Sequence, residues 1–494
     1  MSTQRQLKVW GLLFVVLLAL VVGAFLAGQI VRLAPYPFDF DEALHATRGL
    51  TLTLDIRQGE LGTFLSDAYR QSVYPPGFAV FEALVFLLFG ASTTTARLCS
   101  LLSLIGSTFL LYGLALEIDE AYGWLAGLVA VGLMLSAPWV LLHSALVMLE
   151  LPGLMVTLAT LLAYLRADRS TRSGWWVLTS LLMALTALVK YPFGLLVLGA
   201  IAGAEGLRWL LDRDQRDGSV PARRWAWLFL PFLALMGIWF AGPGKLSDFL
   251  YYATLQPKHA DWYSLENLVF YPRSIVLHYL ASPVLGLLLV AGLVWAGVRW
   301  RRHSVRPIVL YGVLGLAMMT LKQSNNPRFI LPVVPAFYLL TGLAVARLAA
   351  AWRAAGRAQR PLWLATAALG IVLLASLPAA VESFAVLLDL LTVEVETDPR
   401  AHALAGWVAD QVQGQPVYYV NTWDQFSALA IEWVLATEHG VTDCCPGFRS
   451  LPETYLDPFT PEAAAALAQE MRDHGAELLV VVEGGVGVRQ IWPQ

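Results

Sequence analysis

Apolar residues come along this chain in long, nearly uninterrupted runs, and polar residues are confined to short islands between them. Runs of that kind outlast a buried core helix and match a hydrocarbon layer, which ~20 helical residues cross. The ten-residue alternation of a membrane barrel is not the pattern here, so the spans are helical. The pattern predicts eleven spans, at 9–31, 94–116, 122–142, 152–166, 174–190, 192–211, 225–241, 274–298, 307–321, 329–348 and 362–384. The fourth is short and calls for flanking residues or a locally thin bilayer.

One apolar stretch is left out of that count. Pro75 to Gly90 is short and carries Glu82, which suits a helix lying at the interface better than a span. With the N-terminus inside, the basic loops then all fall on the cytoplasmic side. They hold Arg5 and Lys8, Arg166 to Arg172, Arg213 to Arg224, Arg299 to Arg306, and Arg347 to Arg360. That is the positive-inside bias. Glu117-Ile118-Asp119-Glu120 is acidic yet falls on the same side, where acids count little in that rule.

Four polar islands collect on the outer side: the loop 32–93, the turn at Glu150, the aromatic-rich segment 242–272, and Lys322 to Arg328. Past about residue 395 the composition changes. Helical patterns at 398–413, 424–437 and 461–474 alternate with strand patterns at 416–420 and 477–483, which describes a small α/β domain. The expected organisation is a membrane domain over 1–394 and an extracytoplasmic α/β domain over 395–494.

Composition adds exclusions. Hydrophobic residues make up 57% of the chain and charged ones 14%, and a net charge of -3 gives no pointer to nucleic acid. Three cysteines, Cys99 and the adjacent pair Cys444 and Cys445, rule out a disulfide framework. No small-x-small cleavage site follows the first apolar run, which therefore reads as a retained signal anchor.

The densest polar stretch is Asp39-Phe40-Asp41-Glu42-Ala43-Leu44-His45-Ala46-Thr47-Arg48, just beyond the first span. Asp39 as N-cap with Glu42 at the third helical position would make a capping box. Capping explains Asp41, His45 and Arg48 less well, because they share one helical face.

Several stretches, in order, resemble the GT-C membrane glycosyltransferases, specifically the protein mannosyltransferase and aminoarabinose-transferase-like group. Asp41-Glu42-Ala43 resembles the first-loop motif with the catalytic aspartate, and Tyr74-Pro75-Pro76-Gly77 the di-proline segment before a juxtamembrane helix. Ala96-Arg97-Leu98 resembles an Arg-Leu-Pro start, Glu150-Leu151-Pro152 the place of the second-loop acid, and Leu188-Val189-Lys190-Tyr191 a Leu-Thr-Lys segment. Arg328-Phe329-Ile330-Leu331-Pro332 opens a stretch similar to the Arg-Tyr-Leu-Leu-Pro signature. Two departures are Glu150 where Asp is usual, and Val73-Tyr74 in place of an acid-lysine pair. The likeness covers roughly residues 8 to 385.

What the resemblance implies is an all-α polytopic GT-C fold and transfer of a sugar from a polyprenyl-phosphate donor to an acceptor hydroxyl at the outer face. Asp41 would accept the proton, with Glu42 and Glu150 as further acids of the catalytic group. Lys190, Lys322, Arg328, Arg97 and Lys258 are the candidates for the donor phosphate, a group that arginine's planar fork suits. His45, Arg48, Tyr74 and His259 would line the acceptor or sugar. A divalent metal between Asp41 and Glu150 is open, since hard cations take oxygen ligands, though the spacing shows no compact ligand set. The acceptor is a glycan, lipid or protein.

Duller readings stand beside these. Glu150 would be a wetted helix end, Lys322 and Arg328 snorkelling cations, Lys190 an interface anchor, Lys258 and His259 solvated loop residues, and His143 a core histidine. Two other functions compete. A secondary transporter would show charges at the bilayer centre, where Glu205 is the main exception to an uncharged pattern. A non-catalytic scaffold would be indifferent to Asp41→Asn.

Overall fold

The computed structural model describes residues 3–354 except 35–37, 39, 72–73, 171, 212–218, 255–260, 281, 301 and 324. Beyond them it describes 381, 385, 399–412, 417–421, 428–441, 448–450, 468–469, 471–473, 478–483 and 487–491. The eleventh span, most of the helix expected at 461–474, the boundary near 394, Lys258, His259, Asp39 and the Cys444–Cys445 pair lie outside these residues.

A long apolar helix, α1 (Thr3–Arg32), leads into three helices of the first loop: α2 (Phe40–Gln58), α3 (Leu61–Arg70) and α4 (Gly77–Phe89). The chain then enters the bundle with α5 (Thr93–Ile118), started by a reciprocal capping box between Ser92 and Thr95. Next come α6 (Gly123–Ser136) and α7 (Pro138–Ser144), which meet at 67°. Pro138 explains the bend: it forces Ala137 out of the helical region, to ψ 117. The third expected span is thus a broken one.

The bundle continues through α8 (Glu150–Arg169), α9 (Gly174–Val189), α10 (Tyr191–Leu211) and α11 (Ser219–Phe240). At 20 residues α8 needs no thinned bilayer, contrary to the short reading of span four. After α12 (Lys245–Thr254), the eighth expected span is also interrupted. It consists of α13 (Leu265–Ser274), a π-turn over Ile275–Tyr279, and α14 (Pro283–Arg299). Then follow α15 (Arg306–Lys322), a 3-10 turn at Pro327–Ile330, and α16 (Val334–Ala354).

Among the described residues five helices are long and apolar enough to cross a membrane, or six if the bent pair counts as one. Helices α4, α9 and α14 are apolar but shorter. The molecule is a multi-pass membrane protein whose spans are less uniform than hydropathy suggests, because prolines and turns break them.

Glycines let the bundle close. A Cβ on Gly342 of α16 would strike the Ala126 carbonyl of α6, and one on Gly292 of α14 the Leu340 carbonyl. The acidic loop that sat awkwardly with the charge rule is bonded to the arginines of its own end. Asp119 accepts from Arg347, Glu117 from Arg166, and Glu120 from Arg169. Glu205, the exception within a span, accepts from Tyr164 at 2.8 Å and Trp225 at 3.0 Å and pairs with Arg224. Those contacts account for it structurally.

The C-terminal part contains α17 (Pro399–Val412), α18 (Ala428–Glu438) and a four-stranded sheet of order β2-β1-β3-β4. Its strands are β1 (Val417–Asn421), β2 (Phe448–Ser450), β3 (Leu478–Glu483) and β4 (Gly487–Ile491). β1 pairs in parallel with β2 and β3, and β4 runs antiparallel to β3. This region packs onto the first loop: Trp433 of α18 lies 5.1 Å from the Phe38 ring and 6.0 Å from Phe86. One apolar cluster takes in Ala43 and Leu50 of α2 together with Ala405, Ile431 and Trp433.

Candidate active site

Four chain segments far apart in sequence bring ionisable side chains to one end of the bundle. They are the first turn of α2, the start of α8, the end of α9, and the turn between α15 and α16.

Asp41 lies in the first turn of α2, where acids suit the helix dipole. Its Oδ2 accepts from Arg328 Nη1 at 3.0 Å, both side chains being about a quarter exposed. Arg328 is presented by the 3-10 turn, which Asn326 caps by accepting the Arg328 backbone N–H at 3.0 Å. Tyr279 fastens the same turn by donating to the Pro327 carbonyl at 2.7 Å. Burial works against the Arg328 charge, but Glu150 and Asp41 outweigh it and raise its pKa. Its Nε is buried without a partner, as is the Asn325 side-chain oxygen, so the turn retains unused hydrogen-bonding capacity.

Glu150 opens α8 and is buried, not wetted as the helix-terminus reading had it. Lys190, the C-cap of α9, donates to Glu150 Oε1 at 2.8 Å. Lys322, at the end of α15, makes no ion pair among the described residues. These cations share one ring: Lys322 Nζ stands 4.4 Å, Arg328 Cζ 5.2 Å and Lys190 Nζ 5.9 Å from the centroid of Phe329. Three cations thus face two carboxylates, and positive charge is left over.

Glu42 and Arg97 are placed differently. The Glu42 carboxylate accepts from Arg97 Nε at 3.2 Å and Nη2 at 3.3 Å, and from the backbone N–H of Val147 at 3.0 Å. Arg97 Nη1 also donates to the Leu33 carbonyl at 2.6 Å, and its guanidinium lies over Phe38. Both are almost wholly buried. Glu42 is turned into the fold and braces α2 against α5 and the Val147 segment; the capping box expected with Asp39 falls outside the described residues.

His45 sits on the same face as Asp41, edge-on to the Tyr74 ring at 5.1 Å and Phe78 at 6.0 Å. Burial, helped by Arg48, pushes its pKa down to about 3, so the imidazole is neutral at ordinary pH. Arg48 lies over the Tyr74 ring at 5.8 Å and makes a long contact of 3.5 Å with the Tyr74 carbonyl. It has no carboxylate partner among the described residues. His143 shares a 2.7 Å hydrogen bond with the Trp139 carbonyl, the behaviour of a satisfied core histidine.

Sequence reasoning missed Phe329 as the ring that gathers the cations, and Asn326 as the cap of the turn. Both stood inside stretches already singled out, and only the fold shows which neighbours they serve. No group of three or more His, Cys, Asp or Glu able to hold a metal occurs among the described residues. Asp41 and Glu150 alone fall short of the six or more oxygens a hard cation gathers, and each is engaged by a cationic side chain.

Residues 73–240 match the family model for dolichyl-phosphate-mannose-protein mannosyltransferase. No curated protein sequence matches significantly. Among solved structures, ArnT from Cupriavidus metallidurans bound to undecaprenyl phosphate is similar with a TM-score of 0.63 and 17% identity, over 96% of this chain and 93% of that one. The archaeal oligosaccharyltransferase AglB from Archaeoglobus fulgidus, in complex with an inhibitory peptide and a dolichol-phosphate, gives 0.56 and 13%, over 94% and 69%. The arabinofuranosyltransferase AftD from Mycobacteria gives 0.53 and 17%, over 94% and 35%. The chain has the GT-C fold that these membrane glycosyltransferases share.

Proposed function

We propose that this protein is a membrane glycosyltransferase that moves a sugar from a polyprenyl-phosphate donor to an acceptor hydroxyl at the membrane face where Asp41 lies. The observation that carries this reading is the gathering of Lys190, Lys322 and Arg328 around Phe329, within reach of two acids. An excess of cations beside an orphaned Arg328 Nε fits a phosphate, which offers several acceptor oxygens at once. Likeness to proteins whose own ligands are undecaprenyl phosphate and dolichol-phosphate supports the same class of donor.

The reaction is a direct displacement. The acceptor oxygen attacks the anomeric carbon, the bond from that carbon to the phosphate oxygen breaks, and polyprenyl phosphate leaves with the electron pair. Asp41 takes the proton released by the acceptor hydroxyl. Arg328 couples the two halves: it holds the Asp41 carboxylate in place and, once the donor phosphate arrives, divides its donors between them. Lys322 and Lys190 steady the negative charge that grows on the leaving phosphate. Neutral His45, with Arg48 and Tyr74, lines the acceptor side. Glu42 and Arg97 act as positioning residues, holding the Asp41 turn. The exposed Leu84, Leu88 and Phe89 of α4 offer an apolar flank to the prenyl tail.

Purified protein incubated with labelled polyprenyl-phospho-sugars should transfer or slowly hydrolyse the sugar. Asp41→Asn should lower kcat by about 100-fold or more with the donor still bound, the usual worth of a general base. Turnover by Asp41→Asn at the wild-type rate would remove Asp41 from that role.

A further inference from the structure

The bundle has a second charged concavity, at the end remote from Asp41. Helix α8 carries Glu150 at one end and Asp168 and Arg169 at the other, and 20 helical residues extend about 30 Å. Around its far end a cavity of about 580 Å³ opens between the α5–α6 turn, the turn before α15, and α16. Arg169, Arg302 and Arg347 line it, with Asp119, Glu120 and Asp168.

The acids in this wall are already matched. Asp119 is bonded to Arg347, Glu120 to Arg169 at 3.0 Å, and Asp168 to Arg208. Arg302 has no ion-pair partner among the described residues, and Arg347 Nε is buried without an acceptor. Ion pairing that merely ties loops together would need neither the open volume nor these spare donors. Shortly before Arg302 in the chain, α14 and its C-cap Trp300 turn apolar side chains outward, with Val294, Val298 and Trp300 all exposed. Arg347 lies over Trp295 of the same helix at 5.5 Å.

A spare cationic pocket whose Arg347 packs on the helix that bears an exposed greasy strip has the chemistry of an amphiphile's receptor. The matched acids in the same wall repel a polyanion and admit a single phosphodiester. We propose that this cavity binds the headgroup of an anionic phospholipid from the leaflet opposite Asp41, with Arg302 and Arg347 on the phosphate and an acyl chain along Val294 and Val298.

The test uses the full-length protein in nanodiscs of phosphatidylcholine with or without phosphatidylglycerol, with retained lipid counted by native mass spectrometry. Wild type should carry phosphatidylglycerol through delipidation, and Arg302→Gln should weaken that retention by about tenfold, the loss of a charge-assisted contact. Arg302 is exposed, so the variant should fold, and an unchanged melting curve checks this. Arg299→Gln, three residues before Arg302 and outside the cavity lining, should retain lipid as wild type does. Equal retention by Arg302→Gln overturns the proposal. So does an equal loss in both variants, which would mean a diffuse basic belt. Displacement of the lipid by inorganic phosphate at matched concentration would reassign the cavity to a small soluble anion and overturn it likewise.

Discussion

Lys322 is the cation at the site least committed to the fold, since it touches Phe329 and pairs with no acid among the described residues. Lys322→Gln should therefore raise KM for the donor about tenfold and leave the melting temperature unmoved, as removal of a contact reserved for ligand does. His45 contributes in the opposite way, through its lack of charge. An unfolded imidazole binds a proton below about 6.5, whereas the folded one waits until about 3. Protons thus favour the unfolded chain in that window, and stability falls as pH drops from about 6.5 to about 3, by roughly 1 kcal/mol per unit. Denaturation of His45→Phe followed across that range should show a shallower acid decline than wild type. An unchanged slope would mean the imidazole is not held neutral.

Helix α4 illustrates what pattern alone could reach and what it could not. Its length and its Glu82 were legible, and 13 residues make it too short to span. The sequence placed it at the interface and left the surroundings of Glu82 open. It packs against α2, and Glu82 is fully buried with both carboxyl oxygens unpartnered. A Cβ on Gly49 would come within 2.6 Å of the Glu82 Cβ, so the absent side chain of Gly49 makes room for the acid. Burial pushes the Glu82 pKa well above the ordinary 4.5, which keeps it protonated. The unfolded group ionises above about 4.5 while the folded one stays neutral, so here stability is lost as pH rises. Glu82→Gln should accordingly gain stability over wild type progressively above that pH, measured by thermal melting in a pH series. Interhelical contact, not periodicity, decides this. The same holds for α7, where the pattern reads as one span over 122–142 and the structure bends it at Pro138, and for Glu42, whose partners Arg97 and Val147 lie 55 and 105 positions away.

At the scale of the whole molecule, the order of motifs and the clustering of basic turns at one end were legible because each is a local signal. Asp41, Glu150, Lys190 and Arg328 each stand in a stretch that the sequence singles out. Their pairing, Asp41 with Arg328 across 287 positions and Glu150 with Lys190 across 40, was not, since no local pattern encodes it. The C-terminal part reads as a unit of its own, and its two expected strands overlap β1 and β3. Strands β2 and β4 went unseen, β2 being three residues long and β4 interrupted by polar side chains. Nor did the sequence show that α18 would seat on α2. Trp433 is buried there between Phe38 and Phe86, and Trp433→Ala should cost about 3 to 5 kcal/mol at that seat. Its readout is a lower kcat at unchanged donor KM, because the Asp41 turn loosens while the cations around Phe329 stay in place.

That seat also imposes an order in time. The segment bearing Asp41 leaves the ribosome before the indole that wedges its neighbouring phenyl ring, which is made almost four hundred residues later. A chain still being threaded into the bilayer would hold its acid in an unfinished socket, closed only once translation had delivered that apolar stopper.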